Sequence, residues 1–520
     1  MAEVIKTIVF AGMETLNTGY PTEIPDNHWA DTMNMIRRED GLWENRKGIA
    51  QFGSDVGSGV AIHSLRFWKT EAGTRYLTIG TSDDLYSYAE STAYNDGAYT
   101  ARQDLADAVA WDSAVYRSTI VISNGTNTIR TSTDNITFTE RTTSATVIPN
   151  KNLEVANDFV SFSGDPGNPN LLYLSGGAPA SPWVIDTAST ANVDIGNSEN
   201  ITGHLALGEQ IVVFKRNRVY AVNLVSLDRT TLDFNSGCES NRAITRTNLN
   251  EILFAGRNGI FAISKTQIGS NTYFGTSEGA HIKTLYGNVT DYTSINGVFY
   301  PQENYALWNA ETTLGQLTFV KNLDFEQQVW TYFYGINSSD WTLYQDSAGD
   351  NHLLFADASV DKVWELFKGR NDNGAPILSR LQTKRHDMGM PGRSKHIGFV
   401  DIYGYISSTA EWTVELYKDD ITTTPFLTAT IDSDNVAPDQ TFGGLGSSTI
   451  GEVSLGGLLP TASGDLEVAP FFKRINVYQD VEKLQILLQN NQADARVIFR
   501  AAIIYFTPRP IDQYPNTYIQ

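Results

Sequence analysis

The sequence holds a single cysteine, Cys238, in 520 residues. That excludes any intrachain disulfide, and with it a small secreted scaffold held by bridges, and it fits assembly in the reducing cytoplasm. Basic residues are also scarce: 38 Lys and Arg stand against 59 Asp and Glu, a formal charge of −21. A broad basic surface that grips nucleic acid by neutralising phosphates is therefore excluded, although DNA can pass such a protein without being held. Long apolar runs are missing. Val497 to Phe506 is interrupted by Arg500 and falls well short of the roughly 20 residues of a membrane-spanning helix. The first residues, MAEVIKTIVFAG, place Glu3 before a short apolar run and lack a basic leader, so they do not read as a signal peptide. Helical periodicity is sparse, and its best candidates, Asp104 to Trp111 and Asp361 to Lys368, are short enough to be strand or turn.

What is present is a repeat. Ile211 to Val222 (IVVFKRNRVYAV) and Ile252 to Ile263 (ILFAGRNGIFAI) superimpose without a gap at an offset of 41 residues. Each is an apolar run, an Arg-Asn turn and an alternating segment, the pattern of two tightly joined antiparallel strands. The period is that of one β-propeller blade. Comparable units recur around Tyr86, Ile129, Tyr173, Tyr220 and Phe261, with looser copies at Phe319 and Trp364. The spacing of 58 residues before Phe319 leaves room for an insertion near Gly275 to Gly287. One blade cannot cover its own apolar faces, whereas a closed ring of blades buries each against a neighbour. Met33 to Phe52, with the turn Glu39-Asp40-Gly41 followed by Leu42 and Trp43, is expected to supply the strand that closes the last blade.

The expected fold is all-β: an N-terminal segment 1–59, part of which closes the ring, a propeller of about seven blades over 60–391, and a sandwich-like C-terminal domain over 392–520 with an extended tail. Beyond Gly392 the rhythm changes to longer alternating strands, such as Trp412-Val414-Leu416 and Leu484-Ile486-Leu488, around the Gly/Ser/Thr-rich tract Gly443 to Gly457. After Pro508 and Pro510, IDQYPNTYIQ reads as a tail that frays or docks on a neighbour. Hairpins of this kind also build β-sandwiches, the alternative architecture, but the period favours the propeller.

No constellation for catalysis, cofactor or metal emerges. The seven histidines (His28, His63, His204, His281, His352, His386, His396) contain no HExxH and no close pair, and His386 and His396 are expected at a surface or interface. Gly389-Met390-Pro391-Gly392-Arg393-Ser394-Lys395 lacks the Gly-Lys-Ser/Thr ending and the following helix of a phosphate loop. The carboxylates Asp83-Asp84, Asp419-Asp420 and Asp432/Asp434/Asp439 do not meet EF-hand spacing and read as solvated turns. Ser132-Thr133-Asp134 before Thr137-Phe138 hints at the hairpin brace of sialidase-like propellers, with Ile136 where glycine is expected. Cys238 has no His nearby in sequence and reads as a small packing residue rather than a nucleophile. The one concentrated basic cluster, Lys384, Arg385, Arg393 and Lys395, is a candidate for subunit-interface or DNA-channel contacts; a solvated linker is the alternative.

Four stretches carry a resemblance: Asn34 to Gly48 (NMIRREDGLWENRKG), Gly164 to Trp183 (GDPGNPNLLYLSGGAPASPW), Gly237-Cys238-Glu239-Ser240 before the second opening repeat, and Lys384 to Lys395 (KRHDMGMPGRSK). In this order, over roughly residues 30 to 400, the chain resembles the β-propeller tail hub or nozzle proteins, including packaged-DNA stabilisation proteins, of short-tailed bacteriophages. The resemblance implies a virion structural protein without catalytic residues or cofactors. It implies a homohexameric ring below the portal and adaptor, in contact with other tail proteins (fibres or spikes), assembled in the host cytoplasm and not anchored in a membrane by this chain. Genomic DNA would pass through the ring's channel without sequence recognition. A net negative channel would repel phosphates and let DNA slide. Two rival readings share the fold: a propeller that binds or cleaves host-surface glycans, and a scaffold for protein partners in a cell.

Overall fold

The computed structural model describes residues 5–19, 24–57, 59–82, 84–90, 94–104, 110–141, 151–156, 159–175, 193–194, 199–232, 236–249, 251–265, 273–277, 279–325, 329–421, 423–436 and 466–509. Glu3, Asp83, Asp439, the tract Gly443 to Gly457, the tail IDQYPNTYIQ and most of the helical candidate Asp104 to Trp111 lie outside these residues. The chain forms two compact units, one of Ala50–Leu323 with Tyr334–Leu366 and one of Met1–Ile49, Asp324–Phe333 and Phe367–Gln520.

The first unit is a β-propeller. Seven antiparallel sheets follow one another along the chain, with innermost strands Ile62–Lys69, Asp112–Tyr116, Asn152–Ala156, Ile201–Leu207, Ile244–Arg246, Asn296–Tyr300 and Ser338–Gln345. Each innermost strand contacts the next, and the seventh contacts the first, which closes the ring. Side chains bond across these seams: Asp340 accepts from Leu65 N at 2.8 Å, Asp112 from Leu153 N at 2.7 Å, and Asn241 from His204 N at 3.1 Å.

The seven residues used as a ruler each fall on, or one residue before, the third strand of one sheet. The two superimposable stretches are the second and third strands of the fourth and fifth sheets. Their register is the same, Ile211 opposite Val222 and Ile252 opposite Ile263. Gln210–Lys215 is buried on both faces, because neighbouring sheets cover it from either side; hence its continuous apolar run rather than an alternation. The insertion before the sixth sheet holds a 3-10 turn, Ala280–Ile282, and one helical turn, Lys283–Tyr286. Asp361 to Lys368 contains the strand Val363–Leu366.

Closure uses the residues before the first sheet. The strand Ile49–Gln51 is the outer strand of the seventh sheet, beside Val363–Leu366. Phe52 N donates to Val363 O at 2.9 Å, and Val56 N to Asp361 O at 3.0 Å. Phe52 is fully buried against Tyr88, Tyr94 and Tyr344.

The second unit is a two-sheet sandwich. One sheet runs in the order Met35–Arg37, Trp43–Asn45, Val497–Pro508, Lys395–Ile406, Ala469–Val481, with Lys6–Ala11 also paired to Val497–Pro508. The other runs Trp29–Asp31, Ser379–Thr383, Leu484–Asn490, Trp412–Lys418, Leu427–Ile431. Trp29, Trp43, Trp412, Phe471 and Phe499 pack together in one core.

The expected boundaries at 59 and 391 are corrected here. Residues up to 49 supply sandwich strands, and the sandwich resumes at Phe367, not at 392. Trp29 and Trp43 are apolar bodies that only this core buries, and Leu381 carries Ser379–Thr383 into it. The segment Asp324–Phe333 belongs here too: Leu16 N donates to Trp330 O at 3.0 Å, and Thr331 Oγ1 to Thr32 O at 2.7 Å.

Candidate functional site

The basic cluster is tied down within its own unit. Lys384 Nζ lies 2.5 Å from Asp26 Oδ1 and donates to Ile24 O at 2.8 Å. Arg385 pairs with Asp420 at 3.0 Å, and Arg393 Nε donates to Arg509 O at 2.8 Å. Lys395 corrects the expectation that all four are contacts for DNA or a neighbouring subunit. It is fully buried, its ammonium donates to Glu482 O at 2.7 Å, and burial lowers its pKa. Its place in the strand explains this, since Lys395 and Ile397 share the inward parity.

His386 is likewise not at a surface. It is buried edge-on against Phe10, and its Nδ1 accepts from Met388 N at 2.8 Å. His396 is half-buried and meets Asp480 at 2.7 Å. Gly389 and Gly392 take positive φ in a turn between strands, and no helix follows.

The stretches behind the resemblance hold buried polar networks. Glu44 is buried among three guanidiniums: Arg370 at 2.5 Å, Arg496 at 2.7 Å and Arg38 at 2.7 Å. Burial alone would raise its pKa, but the arginines prevail and lower it. Beside it, fully buried Arg46 grips Asp372 with two bonds of 2.8 and 2.6 Å and donates to Asn34 at 3.0 Å. Asp165 accepts from Tyr173 at 2.7 Å and Gly167 N at 2.8 Å; the rest of that stretch from residue 176 lies outside the described residues. Cys238 is fully buried with Sγ toward Ser240 O and Ala255 O, and burial pushes its thiol up to about 12. Asp134 braces its turn as the sequence hinted, accepting from Ser132, Ile136 N and Thr137 N, and Asn135 takes φ 55° without a glycine.

The propeller axis holds an arrangement that the sequence reading missed. Arg242, in the 3-10 turn Asn241–Ala243 before the fifth innermost strand, reaches across the ring. Its guanidinium donates to His63 O and Ser64 Oγ of the first sheet, Trp111 O at the second and Ser339 O of the seventh, at 2.5, 2.9, 2.7 and 3.0 Å. Asp112, half-buried and with its pKa raised by desolvation, accepts from Asn241 Nδ2 at 2.8 Å. Deeper in, Glu154 meets Arg246 at 3.0 Å, and burial lifts its carboxyl to about 7. A cavity of about 510 Å³ opens at the starts of the innermost strands, and Arg242 stands between it and a second cavity of about 170 Å³. Arg242 thereby ties the fifth sheet to the first, second and seventh at the axis. A signal existed: at the 41-residue offset Asn241 repeats Asn200, but Arg242 replaces Ile201.

Among the described residues no group of three or more His, Cys, Asp or Glu side chains converges as for a metal. No helix among them is long and apolar enough to cross a membrane.

No protein-family model and no curated protein matches the sequence. Solved structures align with part of the chain. The computationally designed Ika8 protein aligns at TM-score 0.37 and 12% identity over 61% of this chain and 99% of its own. A virginiamycin B lyase from Staphylococcus aureus aligns at 0.41 and 10% over 61% and 97%, and BBS1N, solved in complex with ARL6DN, at 0.40 and 12% over 62% and 96%.

Proposed function

We propose that this chain is a structural protein of a bacteriophage tail, a hub or nozzle subunit that forms a homohexameric ring below the portal and adaptor and extends the DNA channel. The observation that carries the reading is where the resembling stretches lie. Arg38, Glu44, Arg46, Asp165, Cys238, His386 and Lys395 are committed to buried or half-buried bonds within the fold, while Glu239 and Ser240 of the third stretch line the larger cavity of the propeller. Side chains bonded in this way serve shape, as in a wall component. In this reading the DNA channel lies between copies rather than along the axis of one propeller, where Arg242 bonds across the ring. The charge of −21 favours a passage that repels phosphates.

The test is a mass measurement and particle imaging of the full chain, alone and with portal and adaptor. A ring near six times 57.4 kDa is expected. A chain that stays monomeric beside those partners, or that turns over glycans in a hydrolase screen, overturns the reading.

A further inference from the structure

The sandwich sheet built on Lys395–Ile406 turns Val400, Ile402, Ile475 and Ile504 into the core. Its other face carries a different set. Across its strands Ala501, Tyr403 and Phe472 stand in one row, Ile503, Asp401 and Arg474 in the next, and Tyr505, Phe399 and Asn476 in the third. Val9 continues the middle row from the strand Lys6–Ala11.

Aromatic rings pair along this face, Phe399 with Tyr505 at 4.2 Å and Tyr403 with Phe472 at 5.1 Å. Asp401 is buried beneath them and accepts from Arg474 Nε and Nη2 at 2.8 and 2.7 Å, which lays the guanidinium 4.0 Å over the Phe399 ring. The layer is rigid, yet it meets solvent: Phe472 is 47% exposed, Val9 57%, and Tyr478, in a bulge at φ 47°, 70%.

Phe399, Tyr403, Phe472, Tyr478 and Tyr505 are prominent among the outward positions, with Arg474 between them. That is the composition of an interface core, and buried Tyr and Arg are the residues that concentrate binding energy. Charge selects the occupant. On the face and its rim Arg474 is paired with the buried Asp401 and Arg509 with Asp480, which leaves exposed Arg500 as a local surplus of one positive charge on a chain of −21. Two such faces repel, whereas the acidic remainder of another molecule attracts one. A contact of this kind joins unlike surfaces, the requirement of a closed ring. We propose that this aromatic and arginine face docks on an acidic surface of a second copy of the chain; this deepens the ring reading and rests on it.

The experiment uses the full chain with Tyr478→Ser and Arg500→Glu together, two exposed positions whose replacement leaves the core untouched. Sedimentation equilibrium at low and high salt is compared with wild type, melting temperature serves as the folding check, and a photo-crosslinker replaces Phe472. Expected are a wild-type association that weakens with salt, a loss of about thirtyfold in the double variant, and cross-links between copies. Association that the double variant leaves intact overturns this surface and leaves the ring reading standing. A wild-type chain that is monomeric at every concentration, or cross-links confined to one molecule, overturns the second copy as occupant. Retention of oligothymidylate by wild type and not by the variant reassigns the face to single-stranded nucleic acid and overturns the proposal as well.

Discussion

Glu44→Gln is expected to weaken the sandwich unit severely. The substitution keeps the shape of the side chain and removes the carboxylate that touches Arg38, Arg370 and Arg496 together. Removing one partner of a buried ion pair costs about 3 to 5 kcal/mol, because the remaining charge is left desolvated. Here two of the cations are buried, and each keeps one backbone acceptor, Asn45 O for Arg370 and Leu466 O for Arg496, so the lower half of that range applies. In a unit of roughly 200 residues, where 1 kcal/mol moves the melting point by about 2 to 4 °C, the transition falls by the order of 10 °C. The sign with pH follows from the lowered carboxyl. Its stabilisation is fully present above the ordinary glutamate range and is lost as pH falls through the depressed folded-state value. Wild type and variant therefore converge in acid. Thermal unfolding followed by tryptophan emission reads this, since Trp29, Trp43 and Trp412 share the core of the unit; exposed Glu39→Gln is the control. A variant that melts with wild type at neutral pH, or a difference that grows on acidification, would refute the reasoning.

Arg242→Met should cost about 2 kcal/mol by stranding the carbonyls of His63, Trp111 and Ser339, with faster amide exchange at the Leu65 and Leu153 seams; unchanged exchange there would show that the axis contributes nothing to closure. His352 is bridged by Glu365 at 2.8 Å and Asp346 at 3.4 Å, and although burial opposes it, these carboxylates raise its pKa. Its contribution is complete below the unfolded value near 6.5 and fades as pH rises through the raised folded value; an NMR titration placing the folded pKa at or under the unfolded one contradicts this. Cys238, buried and with its thiol near 12, should resist an aromatic disulfide reagent until the propeller unfolds, so rapid stoichiometric labelling of the native chain would count against the packing.

The repeats were legible because a buried second strand and a turn recur in register, and each ruler residue marks the third strand of a sheet. The long sandwich strands were legible too, from their alternation. The N-terminal share of the sandwich was not: Trp29–Asp31, Met35–Arg37 and Trp43–Asn45 are three residues each, too short for a period of two to register. Lys395 stands in a run of charged residues and so read as surface, although strand parity turns it inward. The Glu44 cluster joins positions more than 300 residues apart, and pattern within a window cannot pair them. Arg242 lies in the stretch between the superimposable segments, where few residues match at the 41-residue offset, and its place at the axis follows only from the closed ring.

The strand that completes the seventh sheet has a consequence for biosynthesis. Phe52 leaves the ribosome about three hundred residues ahead of Val363, its hydrogen-bond partner, so the growing chain carries an unmated apolar strand and an open circle of sheets for most of its synthesis. Nascent propellers are thus exposed to mispairing with one another until the seventh sheet emerges, and only the last sandwich strands, later still, cover Trp29 and Trp43. A chaperone that shields the first fifty residues would raise the yield of this protein more than one acting on any later segment.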